Sequence, residues 1–504
     1  MSDPALHAFH RRVLLVALLV HTITAWFSSG YYAADEHYQV IAFAQHKLGE
    51  LPANELPWEY DARIRSAILP SIAYGAIVGC RAALTAKPMH IAFILRLATA
   101  LVALMVVRTF IRSTLPGVQQ KLQRPFVLLS YFLWFLPYQH VRFSTETCAG
   151  LLLLLGLAQL IGNTERTRAW LVAGICFGVC IQVRPAMGLA CAGAVGWFLF
   201  ASDTRGRSFI RLAAGGLFAL VLGVALDSWF YGEPMHTLWN YVYKNSLSIA
   251  KVQPLPVASE TYPWWYYFPW IVKYGIWPIG LLLLSALLWI TWRKPDTWLV
   301  WCIWPYLLLV SLIPHKELRF LFPMVDLCPL VLVSAWQEAA ATPSLSRMRK
   351  GTGGTLKWSL VALVLVNATG LITAGLTAAG SGRIRLAERM IAIHPSDPMT
   401  LGYTLKEPLI WEVRVPSFYL FGDFLDVGTF DPCDASGLSA TAAAPQLLIA
   451  PEDDGQGSGC TVMKTGYRPF ARSEPSWTTQ ILDLYNSERN GPYMLYRRQP
   501  PGAR

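Results

Sequence analysis

Two short clusters of ionisable residues stand out in an otherwise apolar chain. In the first, Asp35-Glu36 follow Tyr31-Tyr32 and precede His37-Tyr38-Gln39, where the first long apolar run ends. Adjacent carboxylates at such a boundary suit a general base with a neighbouring substrate contact. They would also serve as a solvated helix flank, or as an N-cap for the helix that follows. In the second cluster, His315-Lys316-Glu317-Leu318-Arg319 interrupts two apolar runs. His315, Lys316 and Arg319 are the types that stabilise negative charge on a departing lipid phosphate. Between the two clusters lies Pro57-Trp58-Glu59-Tyr60-Asp61, followed by Arg63, Arg65 and Ser66. Arginine's fork of donors suits a phosphate, whereas tryptophan and tyrosine suit the headgroup belt of a bilayer.

Weaker signals are spread along the chain. Arg142 and Glu146 flank the start of one apolar run, and Arg184-Pro185 breaks another. Asp227-Ser228-Trp229-Phe230-Tyr231-Gly232 leads into an aromatic loop ending Tyr262-Pro263-Trp264-Trp265-Tyr266-Tyr267, which reads as an interfacial belt or a sugar platform. No Walker loop, GxSxG elbow or HExxH is present, which argues against ATP hydrolysis, serine hydrolysis and zinc proteolysis. No DxD pair stands on the outer side of the apolar part, and Asp423 and Asp426 are wrongly spaced for one. No metal cofactor is therefore expected.

The elements that must position these groups follow from composition. Of 504 residues, 54% are hydrophobic and 14% charged, and the mean hydropathy is +0.38. Soluble proteins carry about 25% charged residues, so this chain reads as a polytopic membrane protein rather than a soluble enzyme or a disordered or nucleic-acid-binding chain. From about residue 381 onward acids slightly outnumber bases, 14 to 12, so the excess of the +11 net charge lies in the apolar part. That suits cytoplasmic loops rather than a nucleic-acid partner.

A membrane helix needs about 20 apolar residues. Candidate spans lie near 13–33, 66–84, 91–109, 125–138, 146–162, 169–183, 185–201, 209–231, 270–292, 298–314, 320–338 and 358–380, eleven or twelve in all. The first, following Arg11-Arg12, reads as an uncleaved anchor rather than a signal peptide. Basic clusters at Arg11-Arg12, 205–211, Arg293-Lys294 and 347–350 should be cytoplasmic. This puts 34–65, 232–269, the end of the span at 298–314 and the tail on the other side. Residues 108–124, with Arg108, Arg112, Lys121 and Arg124, break the scheme: counting spans from the N-terminus places them outside. Either an early span is re-entrant or the spans are miscounted.

Two domains are expected: 1–380, the membrane catalytic part, and 381–504, a small mixed α/β domain on the non-cytoplasmic side. Turn clusters and β-prone pieces such as 446–450 and 493–497 support the latter. Seven of the nine cysteines, at 80, 148, 176, 180, 191, 302 and 328, lie in or beside apolar runs and read as small buried hydrophobes. Cys433 and Cys460 would be able to pair in an oxidising compartment.

The motifs, taken together, resemble those of the family 22 mannosyltransferases, which include Alg9 and Alg12 type enzymes and the GPI mannosyltransferases. His315-Lys316-Glu317-Leu318-Arg319-Phe320 resembles the family's HKExRF signature. Asp35-Glu36 with Gln39 matches its first-loop acidic motif. Trp58-Glu59 followed by Arg65-Ser66 resembles its TWE…RS element, with Pro57 where threonine is usual; this form is most similar to the GPI branch. Residues 144–146, Arg184-Pro185, and Asp227 through Gly232 with Asn240 and Asn245 fit in order. The tail carries no recognised family motif.

The resemblance implies an all-α GT-C fold and an inverting mannosyltransferase active on the periplasmic or lumenal face. The donor would be polyprenyl-phosphate mannose, and the acceptor a lipid-linked glycan or glycolipid. It further implies Asp35 as general base and Glu36 as a substrate or supporting contact. His315, Lys316, Arg319 and Arg65 would hold the donor phosphate, and Glu317, Trp58, Glu59 and Tyr231 would support them. Alternatives are a transporter or flippase of a lipid-linked sugar, and a GT-C enzyme with another sugar or a protein acceptor. The membrane would be a bacterial inner membrane or the endoplasmic reticulum.

Overall fold

In the computed structural model of the chain, the described residues are 4–201, 203, 205–244, 261–342, 353–393, 398–404, 414–420, 424–430, 444–452, 462, 466–485 and 492–499. Asn245, Asp423, Cys433, Cys460 and the basic run 347–350 lie outside them. Helices form along the apolar runs: α1 (Pro4–Phe27), α2 (Ile68–Ala83), α3 (Pro88–Thr114), α4 (Gln120–Phe132), α5 (Thr145–Leu160), α6 (Thr167–Val183), α7 (Gly188–Phe200), α8 (Arg205–Tyr231), α9 (Tyr267–Tyr274), α10 (Trp277–Arg293), α11 (Trp298–Leu312), α12 (Cys328–Ala341) and α13 (Gly353–Leu376). Every apolar segment expected from the sequence holds helix.

Many of these helices are shorter than the sequence suggested. By length and composition five are long and apolar enough to cross a membrane, or up to six if α10 and α11, which meet at 118°, count as one broken span. Proline is the main cause of the shortening. Pro125 and Pro305 sit inside α4 and α11, Pro185 follows α6, and Pro323 lies in the 3₁₀ segment Leu318–Leu327 that precedes α12. Each removes a backbone donor and crowds the preceding turn. A helix of 16 residues is about 24 Å long, less than the roughly 30 Å hydrocarbon core.

The path of α3 places the basic stretch 108–124. Arg96 Nε donates to the Ala25 carbonyl at 2.8 Å, near the end of α1. Arg108 and Arg112 are within electrostatic reach of His10, and the Arg124 guanidinium lies 5.4 Å from the Phe9 ring, at the start of α1. Helix α3 therefore runs antiparallel to α1, and the basic stretch 108–124 shares an end of the bundle with Arg11 and Arg12. The positive charge falls where the inside rule expects it. The segment at 66–84 forms α2 over 16 residues, a shorter apolar helix than a full crossing needs.

Close approach of α6 and α8 depends on glycine. A side chain at Gly174 or Gly178 would run into the α8 backbone around 212–216, so the two helices touch only because small residues face each other. Five of the seven described cysteines are buried and the other two partly so, all as free thiols, in keeping with small apolar fillers.

The contacts divide the chain into two compact units: residues 1–25, 35–78 and 95–375 in one, and 26–34, 79–94 and 376–504 in the other. The second holds α14 (Arg383–Ile391), α15 (Ser476–Tyr485) and a five-stranded mixed sheet. Its strands are β1 (Met399–Tyr403), β2 (Phe424–Thr429), β3 (Leu447–Pro451), β4 (Tyr467–Arg472) and β5 (Tyr493–Arg498), in the order β2-β1-β3-β5-β4. β1 is parallel to β2 and β3, and β5 is antiparallel to β3 and β4. Central β3 is buried at Leu447, Leu448, Ile449 and Ala450, as a strand covered on both faces must be. Within this unit α14 grips the residues that follow α1. Arg385 donates to the Phe27 carbonyl at 3.0 Å, Ala379 N–H to the Ser29 carbonyl at 2.8 Å, and the Arg383 guanidinium lies 4.3 Å from the Tyr31 ring. Gly30, at φ +89°, makes the turn.

Candidate active site

Four helix ends and the turn carrying Asp35 meet where the site forms: the start of α5 and the ends of α6, α8 and α11. Asp35 lies in the short turn Ala34–Glu36, which winds into a π-helical turn at His37–Ile41. Glu146 occupies the first turn of α5, whose N-cap Ser144 accepts from the Thr147 N–H; a carboxylate is favoured there by the helix dipole. Arg184 leaves α6 where Pro185 ends it. Residues 313–317 leave α11 without helix before the 3₁₀ segment.

Arg319 is the hub. Its Nη1 donates to Asp35 Oδ2 at 2.5 Å, while Nε and Nη2 donate to the two Glu317 carboxylate oxygens at 2.5 and 2.8 Å. Glu146 Oε1 lies 3.9 Å from Arg319 Nη1 and accepts from Arg184 Nη1 at 2.7 Å. His315 Nε2 sits 3.0 Å from Glu317 Oε1. On the other flank Arg65 Nη2 is 3.8 Å from Asp35 Oδ2 and 3.5 Å from Glu59 Oε1, which also accepts from Gln39 Nε2 at 2.9 Å. Four carboxylates thus face three guanidiniums and an imidazole. The Asp35 and Glu317 side chains remain about 30% exposed, whereas those of Arg319, Arg184 and Glu146 are nearly enclosed.

A buried aspartate holds the loop that carries Arg65. Asp227, at the end of α8, accepts from the Ala67 N–H at 2.7 Å, from Ser66 Oγ at 3.3 Å, and from Thr237 Oγ1. Tyr231 donates its hydroxyl to the Arg65 carbonyl at 2.7 Å, and Asn240 its amide to the Arg63 carbonyl at 3.1 Å. These contacts hold Arg63 at φ +53°, a conformation disfavoured outside glycine.

Electrostatics differ across the cluster. Burial raises the Glu59 carboxyl above its ordinary range, and the neighbouring Arg65 offsets only part of that. Burial also works to raise Glu317, but the Arg319 and His315 contacts outweigh it and hold this carboxyl below its ordinary range. Three nitrogens in the cluster are buried without a hydrogen-bond partner among the described residues: Arg65 Nε, Arg184 Nε and His315 Nδ1. The two guanidinium nitrogens are unmet donors, which an incoming anion would satisfy. Among the described residues no three His, Cys, Asp or Glu side chains converge as metal ligands do.

Most of the residues singled out in the sequence come together here: Asp35, Arg65, Glu59, His315, Glu317 and Arg319. Others lie elsewhere. Lys316 turns away from the cluster, and its ammonium donates to the Ser311 and Ile313 carbonyls at 2.8 and 2.6 Å, capping the end of α11. Burial lowers its pKa. Glu36 lies within electrostatic reach of Tyr138. Trp58 is 57% exposed, and Tyr231 acts on the backbone. Glu146 and Arg184, weak signals in the sequence, are central to the cluster. The sign that marks them is a single charge where one apolar run begins and where the next one ends.

Residues 13–399 match the sequence profile of the Alg9-like mannosyltransferase family. GPI mannosyltransferase 3 of Drosophila melanogaster is 23% identical over 408 residues, covering 78% of this chain and 64% of that protein. The chain therefore spans a little under two thirds of that relative's length. GPI mannosyltransferase 3 of Yarrowia lipolytica is 26% identical over 360 residues, 70% of this chain and 66% of its own. Among solved structures, ArnT from Cupriavidus metallidurans in the apo state aligns with a TM-score of 0.51 at 13% identity, over 98% of both chains. At that identity the likeness concerns the fold, which is of the GT-C kind. The chain belongs to the Alg9-like mannosyltransferase family: it is a multi-pass membrane protein with a GT-C fold and a small C-terminal sheet domain.

Proposed function

We propose that this chain transfers mannose from a polyprenyl-phosphate donor to a hydroxyl of a lipid-linked glycan or glycolipid, with inversion to an α-mannoside. The carrying observation is the Asp35 carboxylate held beside Arg319 and Arg65, with unmet guanidinium donors on Arg65 and Arg184 around it. In this reading the acceptor oxygen attacks the anomeric carbon as Asp35 takes its proton. The bond from that carbon to the phosphate oxygen breaks on the opposite face, and the lipid phosphate departs with the electron pair. Its negative charge falls on Arg319, Arg65 and His315, positioned before the reaction. With Lys316 committed to backbone carbonyls, Arg184 is the better fourth cation. One phosphate needs no metal when side chains neutralise it, so none is proposed. Glycolipid acceptors are supported by the relatives named as GPI mannosyltransferases.

The site would face the periplasm or lumen, because the basic loops gather at the opposite ends of the helices. Residues 381–504 would lie on that same side. Purified protein given labelled polyprenyl-phosphate mannose and candidate acceptors should form a new glycosidic bond, and Asp35→Asn should abolish it while the protein still folds. Near-normal turnover by Asp35→Asn would remove Asp35 as base. Movement of the lipid with no new bond would identify a transporter instead.

A further inference from the structure

A chain of three buried polar side chains lies below the site and takes no part in the reaction above. His21 of α1 donates Nδ1–H to the Ala17 carbonyl at 2.7 Å, because a carbonyl can only accept. Its Nε2 lies 3.0 Å from His140 Nδ1, and His140 Nε2 lies 2.7 Å from Asp326 Oδ1. Both histidines are wholly buried and the Asp326 side chain nearly so. On α1 the facing group is the Ala17 carbonyl. On the turn Leu136–His140 it is His140 itself, and on the 318–327 segment Asp326 with the nearby Cys328 thiol.

Counting hydrogens fixes the state of this chain. A neutral His21 with Nδ1–H presents a bare Nε2, and a neutral His140 donating to an ionised Asp326 presents a bare Nδ1. Two bare nitrogens 3.0 Å apart would repel, so the contact needs one further proton. We infer that His21, His140 and Asp326 hold one proton beyond two neutral imidazoles and a carboxylate, forming a net-neutral staple that positions the Arg319 segment. His140 then donates Nδ1–H to His21, and the hydrogen between its Nε2 and Asp326 completes the chain. Net neutrality is what burial requires, since a lone buried carboxylate is strongly disfavoured.

The staple matters because of what it anchors. Asp326 and Arg319 share one 3₁₀ segment of 10 residues, Leu318–Leu327. Runs of this helix longer than about four residues are uncommon, because its hydrogen bonds are poorly aligned. The segment therefore depends on outside contacts. Tyr306 donates its hydroxyl to the Phe320 carbonyl at 2.6 Å, and Gly150 admits Pro323 so closely that a side chain there would meet the Pro323 carbonyl at 2.8 Å. The bond from His140 to Asp326 fixes the far end. His21, His140 and Asp326 are thus positioning residues for Arg319.

The test rests on the donor reading above but can fail separately from it. His140→Ala should raise the KM for polyprenyl-phosphate mannose about tenfold or more and leave the acceptor KM within about twofold, the scale of one lost charge-assisted bond. His21→Gln guards against a variant that fails to fold. Its amide donates to His140 Nδ1, so the contact between residues 21 and 140 is made without the extra proton, at the loss of the bond to the Ala17 carbonyl. Wild type should lose donor affinity on the alkaline side as that proton leaves, and His21→Gln should not. Matching alkaline limbs in the two proteins, or an unchanged donor KM in His140→Ala, overturn the inference. If wild type transfers no mannose at any pH, the functional reading fails instead. The staple is then judged from thermal unfolding against pH, where a steeper alkaline loss in wild type than in His21→Gln supports it and parallel curves overturn it.

Discussion

Glu146 and Arg184 offer the sharpest test of how the site is held together. Their oxygen and nitrogen are 2.7 Å apart, and the side chains are only 4% and 13% exposed. At an effective dielectric of about 20 the raw attraction at that distance is about 6 kcal/mol. Desolvating the two ions costs several kcal/mol each, so the pair contributes little net stability. Removing one member is another matter, because the other stays buried without compensation. Glu146→Ala should destabilise the protein by about 3–5 kcal/mol. Arg184→Ala should cost a similar amount, although Arg319 beside Glu146 softens it. Glu146→Gln keeps an acceptor and should cost less, about 1.5–3 kcal/mol. The double replacement Glu146→Leu, Arg184→Met removes both charges and fills the space, and should recover most of the loss. The assay is detergent-phase thermal unfolding of wild type, Glu146→Leu, Arg184→Met and their double variant, analysed as a double-mutant cycle. A coupling of about 2 kcal/mol or more is expected. If the double variant loses the sum of the two single losses, within about 0.5 kcal/mol, the reasoning is refuted.

Four further outcomes follow from the geometry. Glu59 has its carboxyl raised by burial, so the stability it lends is present below about pH 4.5 and is lost as pH rises through the folded value. Glu59→Gln, which keeps the bond from Gln39, should therefore raise the melting temperature at pH 7 but not at pH 4. Glu317 has the opposite sign: its contribution is present above about pH 4.5 and is lost as pH falls through the lowered folded value, so Glu317→Gln should flatten acid unfolding below that point. Asp227→Ala leaves the Ala67 N–H and the Thr237 hydroxyl without their acceptor and should cost about 2–4 kcal/mol, with Asp227→Asn milder, as read by unfolding. Gly30→Ala meets both a positive φ and the Ala379 carbonyl 3.0 Å from the added carbon, and should lower stability by about 1–3 kcal/mol in the same assay.

Much of the site was legible because the chain carries so little charge. In a surface-rich protein, His315 through Arg319 would be one polar loop among many, but between two apolar runs it had to be explained. Asp35 was visible for the same reason, at the end of the first helix. Glu146 and Arg184 were harder to read, because each is a single charge beside a long apolar run and neither suggests a partner 38 residues away. Lys316 misled in the other direction. Its neighbours point into the cluster, but extended backbone alternates its side chains, and this one reaches the carbonyls left open where α11 ends.

The sequence by itself determined the environment, the family and the types of group available for chemistry. Apolar content forces helices into a bilayer, and the HKExRF order is local enough to survive without a structure. Tertiary structure alone decided which charges meet. The contact of Asp35 with Arg319 joins residues 284 positions apart, and that of His21 with His140 spans 119. It also decided that 108–124 returns to the N-terminal end of α1. Hydropathy records how apolar a segment is and carries no information about direction. Pairing, protonation and crossing are set by neighbours that only folding brings within a few ångströms.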